Sequence, residues 1–227
     1  ISPDHLERHK NITNYIKAKS RIFLAQKKLD NTYINFNNKH SNFIKKIFKK
    51  NNIKSKLNII NKFSYKFLLK KIKNKNFDST SNLENLSFAY KIAKNLNISD
   101  ETIVKAINGF KGLPHRQEII MSNKQLLCIN DSKATSFEAS LQSLINYNKI
   151  YWIVGGLPKF RDYFSLKKVR KNIIKAYVIG NSATFFVNQI KKHIKYKVSK
   201  NIHNAINDIS KDLNNNDNIK NTILFSP

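Results

Sequence analysis

Glycine is scarce in this chain, and its five residues, Gly109, Gly112, Gly155, Gly156 and Gly180, cannot be assembled into a P-loop or a Gly-x-Gly-x-x-Gly fingerprint. If a nucleotide is bound, its phosphate cradle lies elsewhere. The one cysteine, Cys128, excludes an intrachain disulfide and a thiolate-rich metal site. Its place inside "LLCIN" reads as a buried structural thiol. No run approaches the roughly 20 apolar residues that span a bilayer, and the opening "ISPDHLERH" lacks a signal-peptide pattern. A reducing, soluble compartment is expected, most simply the cytoplasm.

Acidic residues are also few, 14 against 42 basic ones, for a net charge of +28. Such an excess normally points to nucleic acid or an anionic membrane. The residue types argue otherwise. Arg8, Arg21, Arg116, Arg161 and Arg170 are the only arginines, and the lysines recur beside asparagine and isoleucine, as in "NFIKKIFKKNNIKSKLNIINKF". Lys, Asn and Ile share A- and T-rich codons, so a nucleotide bias produces this texture without selection for a polyanion. Nucleic-acid readers favour arginine, whose planar fork matches phosphates and guanine edges. The charge reads as background, and neither nucleic acid nor a membrane is expected as partner.

Residues 10–29 place Ile12, Tyr15, Ile16, Ile22, Phe23 and Leu24 near helical spacing. A Lys/Asn-rich stretch follows, with the short strand-like runs "YINF" and "KLNIINKF". "SNLENLSFAYKIAKNLNI" is a helix with Leu83, Leu86, Phe88, Ala89, Ile92 and Leu96 on one face. Ser99-Asp100 opens another, closed by Gly109 and Gly112. "KGLPHR" then breaks the pattern and sets a boundary between residues 1–112 and 113–227. Beyond it, the strands "LLCIN", "IYWIVGG", "AYVIG", "YKVS" and "TILFS" alternate with helices expected near 136–146, 165–174, 182–192 and 201–213. That alternation predicts a doubly wound, parallel α/β sheet. Ligands gather at the carboxyl ends of such strands, where Asn130-Asp131, Gly155-Gly156 and Gly180 lie.

In "CINDSKATSFEAS", Thr135-Ser136-Phe137-Glu138 fits a capping box, with Thr135 closing the helix start and Glu138 reaching back. A helix amino end beside Lys133 suits a carboxylate or phosphate, and Asp131 can accept from ribose hydroxyls. The plain alternative is a loop organised by Asp131 and Thr135 with a solvated Lys133. At the hinge, Arg116 either bridges to a phosphate across the cleft or makes an interdomain salt bridge, with Glu118 one candidate partner. "GGLPKFRDY" offers backbone amides and Lys159 to an anion, or is a tight turn. Asp4, His5, Glu7 and His9 crowd the start, but a metal there needs a settled helix and a third ligand; a solvated turn is the simpler reading.

Taken in order, "SPDHLERH…YIKAKSRIF", "SNLENLSFAYKIAKNLNIS", "FKGLPHRQE", "INDSKATS", "VGGLPK" and "LFSP" resemble the Mur ligases. "GLPHR-x-E" followed by "NDSKAT" is similar to their D-glutamate-adding branch. The resemblance implies an α/β chain: the latter part of a central ATPase domain, then a Rossmann-like C-terminal domain with a mainly parallel sheet. It places the P-loop upstream and further D-glutamate-holding residues downstream, so this piece alone is expected to be inactive. The implied reaction is ATP-dependent: D-glutamate joins UDP-N-acetylmuramoyl-L-alanine through an acyl phosphate, with Mg²⁺, in a monomer of the bacterial cytoplasm.

The resemblance also implies residue roles. His5 lies near the magnesium and the muramoyl substrate. Lys19 becomes a carbamate, an oxygen ligand that hard Mg²⁺ prefers. Asn82 meets adenine, and Arg116 and Asp131 meet the nucleotide. Lys133, Thr135 and Lys159 surround D-glutamate and the transferred phosphate, so His5, Lys19 and Lys133 form the implied catalytic set. One departure stands out: Ser79-Thr80-Ser81-Asn82 replaces the family's Gly-x-His-Asn. Two other readings remain, a basic α/β module for nucleic acid or another anionic partner, and an inactive ligase relic.

Overall fold

A parallel strand pair and a six-stranded sheet, each with its own apolar core, lie in two units, Ile1–Lys111 and Gly112–Pro227. The computed structural model describes residues 6–35, 41–61, 66–77, 80–159, 162–213 and 220–227.

The first unit begins with a short helix, α1 (Leu6–His9), and α2 (Ile12–Leu24). Asn11 caps α2 by accepting from the Asn14 N–H at 2.9 Å. Ile12, Ile16 and Phe23 share a face and pack on Ile34, Ile44 and Phe48. Ile22 and Leu24 were expected with them but are mostly exposed. At 100° per residue they flank Phe23 on either side, so only the central residue of the three reaches the core. β1 (Asn31–Asn35), α3 (Ser41–Lys50) and β2 (Lys56–Ile60) follow, the strands pairing in parallel with Asn31 opposite Lys56. Phe36, Lys62 and Phe63 of the expected strand runs lie outside the described residues.

Helices α4 (Thr80–Asn95) and α5 (Asp100–Gly109) complete the unit around Leu68, Leu86, Tyr90, Ile103 and Ile107. Ser99 caps α5, accepting from the Thr102 N–H. The buried stripe of α4 runs through Leu86 and Tyr90, whereas Ile92 and Leu96 turn outward. The four-residue step from Leu86 to Tyr90 selects one side of the broader apolar face.

In the second unit β3 (Glu118–Ser122) and β4 (Leu126–Asn130) form a hairpin. Then come α6 (Phe137–Asn146), β5 (Ile150–Gly155), β6 (Ile173–Ile179), α7 (Ala183–Ile190), β7 (Tyr196–Lys200), α8 (Ile202–Asp212) and β8 (Asn221–Phe225). The sheet order is β3-β4-β8-β5-β6-β7, parallel except for β3. The parallel α/β expectation is met, while β3 is an addition. Its hairpin turn is built by Asn123, whose Oδ1 accepts from the Gln125 and Leu126 N–H groups.

The helix expected at 165–174 is replaced by two short 3-10 turns, Leu166–Lys168 and Arg170–Asn172. Leu166 and Val169 both drop into the core, a three-residue spacing that matches a 3-10 turn. Ile173 then pairs with Ile150 as β6 begins.

One sheet face packs Ile129, Trp152, Val154, Ala176, Val178 and Leu224 beneath α6 and α7. The other sets Tyr151, Ile153, Tyr177 and Ile223 against Ala205 and Ile209 of α8. β5 is buried along its whole length, as a near-continuous apolar run in a parallel sheet should be. At its end Gly155 is obligatory, because a Cβ there would lie 2.2 Å from the Ile179 carbonyl oxygen.

Leu144 of α6 is fully buried, while its neighbour Ile145 is 45% exposed. Leu144→Ala is expected to cost about 2–5 kcal/mol, and Ile145→Ala less than about 1 kcal/mol. Urea unfolding followed by fluorescence of Trp152, the sole tryptophan and a core residue of this unit, checks the difference.

Candidate functional site

The loop leaving β4 is organised by a buried carboxylate. Asp131 is only 6% exposed. Its Oδ1 accepts from the Gln117 N–H at 3.1 Å, and its Oδ2 accepts from Ser143 Oγ at 2.5 Å. Its own N–H donates to the Phe225 carbonyl at 2.8 Å, and its carbonyl accepts from Ala134 N–H at 2.9 Å. One residue thus ties β4, β8, α6 and the turn around residue 116.

That turn is fastened a second time, since Lys133 N–H donates to the His115 carbonyl at 3.0 Å. His115 N–H donates to Glu118 Oε2 at 2.9 Å, and Asn130 Nδ2 lies 2.8 Å from His115 Nδ1. His115 and Gln117 both have left-handed backbones, φ 64° and 49°; the paired contacts hold a conformation that non-glycine residues resist. Arg116 is exposed on this turn. Glu118, the partner that the salt-bridge alternative offered, turns to His115 and Asn130.

At the start of α6 the cap is Ser136, whose Oγ accepts from Ala139 N–H at 3.3 Å. The cap expected at Thr135 therefore falls one residue later, where burial of Phe137 sets the helix start. With Ala139 at the third helical position, no capping box forms. Thr135 stays exposed, and neither its hydroxyl nor Glu138 finds a hydrogen-bond partner among the described residues. The Phe137 N–H is taken by Asp162, at 3.2 Å to Oδ1 and 3.0 Å to Oδ2. Two of the first three helix amides are thus engaged internally, so the helix end is not the open anion seat that its sequence suggested.

Ser140 and Ser143 share the inner face of α6. Ser226 Oγ donates to Ser140 Oγ at 2.6 Å, and Trp152 Nε1 donates to the Ser226 carbonyl at 3.4 Å. A small recess of about 20 Å³ opens here, lined by Thr135, Ser136, Ser140, Asp162 and Ser226 among others. Lys159, half-buried, follows β5 on the adjoining loop. The carboxylates therefore face inward onto protein donors. The exposed Lys133 ammonium and Thr135 hydroxyl face solvent beside the loop that carries Lys159, a setting that suits an anionic, oxygen-rich ligand.

In the first unit Lys19 is exposed midway along α2, its Nζ 5.2 Å from the Tyr15 ring centroid. Asn82 sits in the first turn of α4, half-buried, with Nδ2 donating to the Asn76 carbonyl at 2.5 Å. His5 and Ser79 lie outside the described residues. Among the described residues no group of three His, Cys, Asp or Glu side chains is placed to hold a metal. No helix among them is long and apolar enough to cross a membrane.

Residues 1–100 match the Mur ligase middle domain. Curated proteins named "UDP-N-acetylmuramoylalanine--D-glutamate ligase" match nearly the whole chain. The one from Rickettsia felis is 31% identical over 99% of this chain and 53% of its own length. That from Rickettsia bellii is 32% identical over 100% and 54%. Among solved structures, MurF from Acinetobacter baumannii superposes over the whole chain and 55% of its own, with TM-score 0.69 at 17% identity. At that identity the likeness concerns the fold. Residues 1–100 thus match a Mur ligase middle domain, and the chain along its length is similar to ligases of that kind.

It spans about half the length of the curated relatives it matches. Of the residues that resemblance to Mur ligases singles out, the structure gathers Arg116, Asp131, Lys133 and Thr135 on two mutually fastened loops, with Lys159 beyond β5. Lys19 and Asn82 lie on separate helices of the other unit. Gln117, Ser136, Ser143, Asp162 and Ser226 escaped the sequence reading. The only local signal was the Ser136, Ser140, Ser143 spacing, which aligns three hydroxyls on one helical face.

Burial pushes the Asp131 carboxyl above its ordinary value of 3.8, and the Ser143 and Gln117 hydrogen bonds and the Arg116 charge only partly offset that rise. A carboxyl raised on folding contributes stability that is present below the unfolded value and lost as pH rises through the folded one. Asp131→Asn removes this dependence. Relative to wild type, the variant's stability is expected to improve as pH rises through that window; chemical denaturation at a series of pH values measures it.

Proposed function

We propose that the complete protein containing this chain is an ATP-dependent ligase that joins D-glutamate to UDP-N-acetylmuramoyl-L-alanine. The carrying observation is the loop after β4. Its carboxylate is engaged by the protein, while its lysine and threonine side chains face outward at the carboxyl end of a parallel sheet. The names of the relatives supply the substrate identity.

In this reading residues 1–112 are the latter part of the central ATPase domain, and 113–227 belong to the C-terminal domain. ATP supplies the phosphoryl group that activates the substrate carboxylate, and the amine of D-glutamate then attacks the acyl phosphate. The demand on the protein is charge neutralisation and positioning. Lys133 and Lys159 neutralise the phosphate and the amino-acid carboxylates, and Thr135 donates a hydrogen bond. Arg116, carried on the turn fastened to Asp131, reaches the nucleotide. Asp131 serves that site by holding the turn, since both of its oxygens already accept protein hydrogen bonds. Asn82 is assigned to the adenine, with Ser81 in the place of the family's histidine.

Magnesium is assigned to His5 and to Lys19 as its carbamate. The exposure of Lys19 fits reaction of its amine with carbon dioxide. The described side chains do not complete a magnesium site, so no step is routed through the ion. A monomeric enzyme of the bacterial cytoplasm, without a nucleic-acid partner, completes the proposal.

Lys133→Ala in the complete protein is expected to abolish D-glutamate-dependent phosphate release. Near-normal turnover would refute the assignment. Salt-dependent binding of random oligonucleotides by a wild-type protein lacking that turnover would favour a basic binding module.

A further inference from the structure

The loop after β5 and the loop after β4 carry different parts of the candidate site, Lys159 on one and Thr135 on the other. A single side chain spans them. Asp162, three residues beyond Lys159, reaches across to the N–H of Phe137, two residues beyond Thr135. We propose that Asp162 is a positioning residue for the amino-acid substrate, holding Lys159 and Thr135 in register through its bond to the start of α6. The inference rests on the ligase reading given above.

Three observations carry it. Both Asp162 oxygens lie on the Phe137 N–H, at 3.2 and 3.0 Å, so the carboxylate faces the protein. It also occupies the amino end of α6, where the helix dipole would otherwise attract a ligand's carboxylate. An incoming anion is thereby displaced outward, to the side chains of Thr135 and Lys159. Finally, burial raises the Asp162 carboxyl, while the Phe137 N–H and then the Lys159 charge draw it part of the way back toward ionisation. The two groups are electrostatically coupled as well as close in sequence.

The same junction has an independent support. Phe164 stacks on Phe137 with ring centroids 4.5 Å apart and meets Trp152 at 6.0 Å. Loss of the Asp162 bond should therefore loosen the register of the loops without unfolding the unit. Asp162 acts through Lys159 and Thr135, and asparagine retains an acceptor for the Phe137 N–H.

The test uses the complete protein, with D-glutamate and ATP varied separately and with amide exchange read at residues 136–139. Asp162→Ala is expected to raise the KM for D-glutamate about tenfold while moving the KM for ATP less than about twofold, and to speed exchange at Phe137. Asp162→Asn should restore both to within about threefold of wild type. A D-glutamate KM unchanged in Asp162→Ala, or an equal rise in both KM values, overturns the proposal. Wild-type protein without D-glutamate-dependent turnover instead sinks the ligase reading. In that event unchanged Phe137 exchange in Asp162→Ala overturns the clamp, and exchange sped in Asp162→Ala but restored in Asp162→Asn supports it.

Discussion

The buried carboxylate of Asp131, held between the Ser143 hydroxyl and the Gln117 N–H, is the contact on which the candidate site depends. A carboxylate this enclosed must be matched by donors, or its desolvation would be ruinous. Those donors come from α6 and from the turn that bears Arg116. Satisfying one charge therefore fixes three segments at once. The left-handed His115 and Gln117 follow from the same requirement, because the turn must present the Gln117 N–H inward while Arg116 stays outside.

The second carboxylate repeats the logic one strand over. Asp162 closes the amino end of α6 as Asp131 ties its inner face. Serines on that face complete the join, Ser140 to Ser226 beyond β8 and Ser143 to Asp131. Polar groups placed this deep are costly unless every partner is present, so the network favours one arrangement of the strand-end loops over near alternatives. With the acids turned inward, the outward chemistry of the loops is cationic and hydroxylic, which suits carboxylates and phosphates. The excess of lysine elsewhere needs no part in this.

Much of the fold was legible because it is local. The five parallel strands of the second unit are legible as short, mostly apolar runs alternating with helices, whereas the antiparallel β3 is not. At 166–172 the Leu166 and Val169 spacing suits a helix or a 3-10 turn, and the pairing of Ile173 with Ile150 decides for the short turns. The cap was misplaced by one residue because Thr135 and Ser136 have the same capping chemistry, and only burial of Phe137 separates them. The Asp162–Phe137 bond joins residues 25 apart, and no local pattern announces it. The strand-end lysines were visible in sequence as candidates, but their roles came from the resemblance to Mur ligases. That both acids face the protein rests on contacts between segments far apart in sequence.

The claim that anionic substrate meets these strand-end loops is tested most directly by hydrogen exchange on the complete protein, with and without D-glutamate and ADP. The account predicts slowed exchange at residues 131–136 and 155–159, with the lysine-rich α3 unaffected. Ligand-induced protection confined to α3, or absent from both loops at saturating ligand, would contradict it.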